Sequence, residues 1–515
     1  MSEMGFWNFA QQSPEKLALV DPDERLWTRG ELLAEANRIA HGLRALGLGP
    51  GDCVAVVLEN CAEFYQLHLA ITQIGMYMTP INNHLTGPEI AYIVQDSGAR
   101  VFIGSEKFAD ACKAAREELD FPKDHCFARG AVPGFRPFEE LKAGQPDTLP
   151  EDRTAGQVMN YTSGTTGRPK GVRRPLAPIS PDLVATLTTG FLGMFGLQPE
   201  DDNVHICGSP LYHTAVLVFS SSAFHMGHAV VLMEKWLPEE MLRLIETYRV
   251  THSHMVPTQF HRLLKLPDDV KKKYDVSSLR AMIHAAAPCP IETKWKMLEW
   301  WGDTIYEYYA ATEGGGTLVT PQEWRERPGT VGRAWPNAEV RIYDDQQNEL
   351  GPGQIGTVYM KLGQADFEYK DAEQKTRENR IGQYFTVGDV GELDADGYLF
   401  LRDRKNDMII SGGANIYPAE IEAELIQHPK VADVAVFGIP NDDWGEEIKA
   451  VIQPVPDVAP GDALTAEILD WCKDRLARMK TPRTIDYLAE LPRDPNGKLY
   501  KRKLRDPYWE GRSQI

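Results

Sequence analysis

Cysteine is scarce, and its spacing carries no motif. The seven cysteines, Cys53, Cys61, Cys112, Cys126, Cys207, Cys289 and Cys472, are widely scattered and form no CxxC pair. An odd count at such spacing excludes a disulfide framework and a zinc ribbon, and it fits a reducing compartment. Cys289, in Ala287-Pro288-Cys289-Pro290, sits in no nucleophile motif. No run approaches eighteen apolar residues, so no membrane-spanning helix is expected. The opening Met1-Ser2-Glu3-Met4-Gly5-Phe6-Trp7 lacks a basic region followed by an apolar one, so no signal peptide is expected and the default location is cytoplasmic. Positive charge is also short. With 55 Lys and Arg against 74 Asp and Glu, the net charge is −19. That balance argues against a nucleic-acid-binding face but leaves room for a local basic nucleotide pocket.

What is present is a long chain with ordinary globular composition. Its 515 residues exceed one ordinary core, so two or more domains are expected. Early on, apolar runs alternate with helical patterns. Thr28-Arg29-Gly30-Glu31 has capping-box spacing, and Leu32, Ala36, Ile39, Leu43 and Leu46 recur at helical intervals behind it. Strands are expected at Val54–Leu58 and Ala99–Ile103, with a helix over Phe64–Ile74. The rhythm repeats with candidate strands at Asn203–Cys207, Ala229–Met233, His252–Val256, Leu279–His284 and Thr304–Tyr308. Such alternation predicts parallel sheets covered on both faces, here as two doubly wound α/β subdomains. From about Ala338 the texture turns to short strands and turn signals such as Asp396-Gly397, which predicts a small β unit. After Arg404 a compact α+β segment follows, with its own apolar strand at Val434–Phe437. The expected organisation is a large domain over 1–403 and a small α+β domain over 404–515.

One stretch dominates the chemistry. Tyr161-Thr162-Ser163-Gly164-Thr165-Thr166-Gly167-Arg168-Pro169-Lys170-Gly171 follows a strand-like run, Val158 to Tyr161, and packs three glycines, four hydroxyls and a lysine into eleven positions. Glycines let backbone N–H groups close on an anion, hydroxyls add donors, and Lys170 supplies a point charge. No Gly-Lys-Ser/Thr tripeptide closes the loop, and Pro169 blocks a helix start, so it is not the usual P-loop. The segment resembles the signature loop of adenylate-forming (AMP-binding) enzymes, the superfamily of acyl-CoA synthetases, peptide-synthetase adenylation domains and luciferases. The resemblance covers essentially the whole chain. It implies a small domain that moves on a hinge near 403–406.

Further segments carry the same resemblance. In Tyr309-Ala310-Ala311-Thr312-Glu313-Gly314, after the expected strand Thr304–Tyr308, Tyr309 offers a face for adenine. Thr312 offers a phosphate donor, and Glu313 a hard oxygen ligand for Mg²⁺. The family pattern commonly has glycine where Ala310 stands. Ala285-Ala286-Ala287-Pro288 resembles the segment lining the other side of the adenine, so Ala286 and Ala287 are candidate nucleotide contacts. Thr386-Val387-Gly388-Asp389 resembles the motif whose aspartate accepts both ribose hydroxyls, and Arg404 the arginine beside the ribose or phosphate. The hinge position falls on Asn406, where the family commonly has Asp or Lys. The stretch Ser411-Gly412-Gly413 through Glu422 resembles the loop that lines the pantetheine tunnel, and Pro418 suits the first turn of a helix. Trp444 either packs against that cofactor or belongs to the small-domain core.

The resemblance makes Lys498, in Pro495-Asn496-Gly497-Lys498-Leu499, the catalytic ammonium. Composition alone reads it as part of a solvated basic tail with Lys501, Arg502 and Lys503. An ammonium there would offset repulsion between an attacking carboxylate and the α-phosphate. Thr162, Ser163, Gly164, Thr165, Thr166, Gly167 and Lys170 would hold the phosphates. His213, in Pro210-Leu211-Tyr212-His213-Thr214-Ala215, resembles the aromatic gate beside the substrate carboxylate, although a lone histidine is more often a structural residue. Amino-acid-activating relatives usually place an aspartate shortly after this motif. Here Val216-Leu217-Val218-Phe219 follows, which favours an acid with an uncharged far end. Gly314-Gly315-Gly316 would leave room beside the acyl group. The expected activity is an ATP-dependent, AMP-forming carboxylic acid–CoA ligase acting on a fatty, aryl or polycyclic acid, with ATP, Mg²⁺ and coenzyme A. Alternatives are a member using mainly a preformed acyl adenylate, or one loading a carrier protein. Oligomeric state is left open.

Overall fold

The computed structural model describes residues 4–162, 169–200, 202–311, 315–362, 368–369, 379–493 and 499–510. The chain forms two compact units. One is built on Met1–Met255 and Lys265–Ile283. The other comprises Val256–Leu264, His284–Ala365 and Asn379–Ile515.

The first unit holds two parallel sheets. In one, neighbouring strands run Arg136–Pro137, Cys126–Arg129, Ala99–Ser105, Cys53–Val56, Tyr77–Pro80 and Gln157–Val158. Helix Arg29–Ala45 leads from the other sheet into this one and packs on Ala62–Thr72, which with Gly87–Asp96 crosses over between its strands, as continuous apolar strands require. Thr28 caps the first of these with both halves of the capping box formed, and Leu32, Ala36, Ile39 and Leu43 are its buried stripe. In the other sheet, His252–Met255, Val204–Cys207 and Ala229–Leu232 are parallel neighbours. Leu17–Val20, from the start of the chain, adds to this second sheet beside Ala229–Leu232. The two sheets therefore interleave in sequence, which alternation alone does not reveal.

The second unit carries the antiparallel strands Ile305–Ala310, Gly316–Val319 and Arg333–Ala334. It also holds the expected small β unit, in which Ala338–Tyr343, Gly356–Leu362, Asp389–Leu393 and Leu399–Arg404 pair antiparallel in turn. Gly397, at a φ of 81°, makes the turn before Leu399–Arg404. Its last part is α+β. The long hairpin Val431–Asn441 with Gly445–Pro454 is flanked by Ile409–Ser411 and Thr484–Tyr487. Helices Pro418–Leu425 and Asp462–Lys473 supply Ile421, Leu425, Leu464 and Ile468 to a core with Ile409, Val436 and Ile452. Among the described residues no helix is long and apolar enough to cross a membrane.

Candidate active site

In the first unit, the glycine-rich loop is held by a hairpin. Asn160–Thr162 pairs antiparallel with Lys170–Arg173, and Thr162 faces Lys170 across the ladder. The run read as one strand, Val158 to Tyr161, is split. Gln157–Val158 joins the parallel sheet and Asn160–Thr162 the hairpin, so the chain changes sheets at Met159. Ser163, Gly164, Thr165, Thr166 and Gly167 lie outside the described residues. Two tyrosines fix the loop's base. Tyr161 donates to Asp96 Oδ2 at 2.6 Å, and Tyr92 to the Pro169 carbonyl at 3.1 Å. Burial, then the Asp96 carboxylate, raises the Tyr161 phenol far above its ordinary value and keeps it a donor.

The Pro210–His213 segment is anchored by a residue that sequence reading missed. Asn60, almost fully buried, donates to the Ser209 and Met233 carbonyls at 3.0 Å each and accepts from the Leu211 N–H at 2.9 Å. A lone Asn after a strand carries no pattern to flag it. His213 occupies the N-cap of helix Thr214–His225, with its ring 4.5 Å from that of Tyr212. On that helix Val216, Leu217 and Phe219 are buried. Phe219 packs in a ring cluster with Phe191, Phe195 and His254 at centroid distances of 5.1, 5.7 and 4.8 Å. The environment beyond His213 is apolar and aromatic, with no acidic residue on the helix.

In the second unit, three predicted residues converge. Tyr309 donates to Asp389 Oδ2 at 2.7 Å, while Arg404 Nε stands 3.6 Å from Asp389 Oδ1. Asp389 and Arg404 are direct cross-strand partners. The expected loop position of Tyr309 is corrected: the strand continues through Ala310, because Tyr309 and Ala310 pair with Thr317 and Gly316. Tyr309 thus projects from a fixed strand end. A Cβ on Gly316 would come within 2.3 Å of the Tyr309 carbonyl oxygen and 3.0 Å of Ala310 Cβ. Glycine there serves this close pairing, and Gly315, at a φ of 72°, serves the turn before it. Thr312, Glu313 and Gly314 lie outside the described residues.

Strand Ala281–His284 leads into Ala286, an alanine at a φ of 73°. A non-glycine residue there stores backbone strain, which marks candidate ligand contacts. Ala286 is exposed and Ala287 partly so. Beneath them lies a second feature without sequence signal. Lys294 Nζ donates to Glu307 Oε2 at 2.7 Å, and His284 Nε2 lies 3.5 Å from the same oxygen, all three buried. Burial raises the Glu307 carboxyl and lowers the Lys294 ammonium, while each counters the other's shift. This pair ties helix Ile291–Trp301 to the strand that ends in Tyr309. Burial also pushes the Cys289 thiol up, so it is a poor nucleophile.

Near the end of the chain, Ser411 closes the hairpin Ile409–Ser411 with Ala414–Ile416. Gly412 and Gly413 have φ of 58° and 80°. The Gly412 N–H donates to the Trp444 carbonyl at 2.8 Å, and a Cβ on Gly412 would meet the indole at 2.5 Å. Trp444 is 48% exposed, with the Arg483 guanidinium 5.1 Å from its ring centroid, which removes the core reading. Lys498 lies outside the described residues. The chain on either side of it is drawn together by the Arg493–Leu499 bridge and by Tyr500 N–H donating to the Pro492 carbonyl at 2.8 Å.

The parallel sheets with their crossover helices make this an α/β protein, and Tyr309, Asp389 and Arg404 bring a hydroxyl, a carboxylate and a guanidinium together at strand ends. The chain belongs to the AMP-binding enzyme family: residues 6–365 match the AMP-binding enzyme domain and 420–498 the AMP-binding enzyme C-terminal domain. It is similar to the long-chain-fatty-acid–CoA ligase FadD13 of Mycobacterium tuberculosis, 32% identical over 97% of both chains. It is also similar to the fatty acid–[acyl-carrier-protein] ligase ScoC of Streptomyces coeruleorubidus, 30% identical over 97% of this chain and 95% of that one. Among solved structures it resembles the anthranilate CoA ligase AuaEII in complex with anthranoyl-AMP. The TM-score is 0.84 at 29% identity, covering 98% of this chain and 97% of that chain.

Proposed function

We propose that the protein is an AMP-forming carboxylic acid–CoA ligase for hydrophobic acids, working in the cytoplasm. In the first step an acid carboxylate attacks the α-phosphate of ATP, giving an acyl adenylate and pyrophosphate. In the second the CoA thiol attacks the acyl carbon, giving a thioester and AMP. The observation that carries this reading is Asp389, held by Tyr309 and Arg404. A carboxylate fixed on both oxygens keeps spare lone pairs for a vicinal diol, which is what a ribose presents. Tyr309 and the Ala286–Ala287 segment would flank the base. Thr162, Lys170 and the 163–167 loop would follow the phosphates, Thr312 adding a donor. Glu313 would hold Mg²⁺, whose charge offsets that of the phosphates. Lys498 would lie between carboxylate and α-phosphate, His213 would border the acyl end, and Ser411, Gly412, Gly413 and Trp444 would border the thiol's approach. The hinge at Asn406, dividing 1–403 from 404–515, lets one site serve both steps.

A relative that loads a carrier protein supports a second acceptor, and comparing CoA with a holo-carrier protein separates the two. The acid side gives a prediction. With Val216, Leu217 and Phe219 filling the helix after His213, an incoming ammonium would be buried unpaired. Medium-chain fatty and aryl acids should therefore exceed α-amino acids by at least about 100-fold in kcat/KM for AMP release. Comparable turnover of an amino acid would overturn the substrate reading.

A further inference from the structure

The hinge is surrounded by charged groups that no step of the proposed reaction uses. On one side, the Lys405 N–H donates to the Gly388 carbonyl at 2.8 Å, next to Asp389. On the other, Arg505 Nη1 donates to the Asn406 carbonyl at 3.1 Å and lies 3.9 Å from Asp407 Oδ1. The torsions of Lys405 and Asn406 lie between these anchors, so a swing there keeps both bonds. Other bonds cross the swivel. The Asp407 and Met408 N–H groups donate to the Arg404 carbonyl at 3.0 and 3.2 Å. Asp403 Oδ2 accepts from the Ala419 N–H at 2.8 Å.

That last bond caps a helix from outside. Ala419 lies in the first turn of Pro418–Leu425, whose own N-cap residue, Tyr417, makes no side-chain bond. A carboxylate at such an end satisfies an orphan donor and meets the positive end of the helix dipole. Lys501 adds to it. Its ammonium bonds Glu422 Oε1 at 2.8 Å and sits in the field of Asp403 and Asp407. A swing at Lys405–Asn406 carries Asp403 away with strand Leu399–Arg404, while Ala419, Glu422, Lys501 and Arg505 stay together. The contacts of Asp403 thus belong to one hinge state.

We propose that Asp403 is a positioning residue that, through Ala419 and Lys501, latches one of the two hinge states and so sets the ratio of the half-reactions. This rests on the two-step ligase reading. The test measures the two steps apart: pyrophosphate release from ATP plus acid, and acyl-CoA formation from preformed acyl adenylate. Asp403→Ala should change the ratio of the two rates by about tenfold, the effect of losing one helix cap. Asp403→Asn keeps an acceptor for Ala419 but not the charge. It should shift the ratio the same way by less. Lys501→Met should also shift it the same way, and the double variant with Asp403→Ala by less than the product of the two. Equal slowing of both steps, or an unchanged ratio, overturns the latch. Should Asp403→Ala fail to fold, the near-isosteric Asp403→Asn decides in its place, by a shifted or an unchanged ratio. Wild type that makes no adenylate from ATP overturns the two-step reading itself, a result seen before any variant is made.

Discussion

Lys498→Ala is expected to lower adenylate formation by on the order of 10²–10³ while leaving thioester formation from a supplied acyl adenylate near wild type. The first step brings a carboxylate against a phosphate, two anions, and an ammonium placed between them stabilises the transition state more than the separated reactants. Removing one pre-organised electrostatic group of this kind costs about 3–4 kcal/mol of barrier. The second step displaces AMP with a thiol and has no such anionic encounter. The fold should hold, because the substitution removes a single side chain from a short stretch closed at its base by the Arg493–Leu499 bridge. The Asp433 carboxylate grips Arg493 at 2.5 and 2.7 Å on that same base. Single-turnover pyrophosphate release and adenylate-to-thioester conversion are the two measurements. If both steps slow equally, Lys498 does not act in the first. If wild type consumes only the preformed adenylate, the enzyme has lost its activating step and Lys498 no longer matters.

How much of this was legible in the sequence depends on whether a feature is local. The capping box at Thr28 and the proline opening Pro418–Leu425 are local, and the structure bears both out. Most strands stand within a few residues of their expected ends, since β-branched runs and turn residues mark them. The family resemblance supplied Tyr309, Asp389 and Arg404, but not that they meet. Their convergence depends on the register Asp389–Arg404 and on the extra pairing that lengthens strand Ile305–Ala310. Asn60, Asp96, Lys294 and Glu307 escaped because each acts through a partner outside its own local pattern: Asn60 meets Met233 across 173 positions, and Tyr161 meets Asp96 across 65. Asp403 escaped for a subtler reason. It stands three positions from Asn406, yet its partner is a backbone N–H, which no side-chain pattern reveals.

Acid should unfold the protein early, between about pH 6 and 5, because the first unit buries histidines in neutral form. Burial holds His68 down at about 4, and His205, His225 and His254 at about 3; in His205 and His225, other histidines add to the lowering. His252 is also lowered well below its ordinary value, first by burial and then by His205, His228 and Arg280. Geometry agrees for His225, whose Nδ1 accepts from the Phe6 N–H at 3.2 Å and so carries no proton. The rings of His205 and His252 lie 4.8 Å apart, and those of His228 and His252 5.1 Å apart, so a proton on one opposes a proton on the next. Each folded value lies below the unfolded value near 6.5, so below that pH the unfolded chain binds protons that the folded chain refuses. The stability these five contribute is full above about pH 7. It falls as pH drops through 6.5, by up to about 1.4 kcal/mol per pH unit for each, and levels off near pH 3–4. Buried carboxyls oppose this. Burial and Glu63 raise Asp21 to about 6, and burial also raises Glu307, Glu422 and Glu446, so these take protons in the folded state first. Burial raises Asp403 and Glu424 as well, and since the unfolded values of all these carboxyls lie near 4, they offset part of the loss in the pH 5–6 window. At pH 5.5 each such histidine costs roughly 1.4 kcal/mol, and the raised carboxyls return part of that sum. Urea unfolding at pH 7.5, 6.5 and 5.5 measures the effect, with the slope against pH giving the net protons taken up on unfolding, about five from the histidines near pH 5.5 less those the raised carboxyls already hold. A stability that stays flat over that range would mean these imidazoles are protonated in place and the buried cluster tolerates charge.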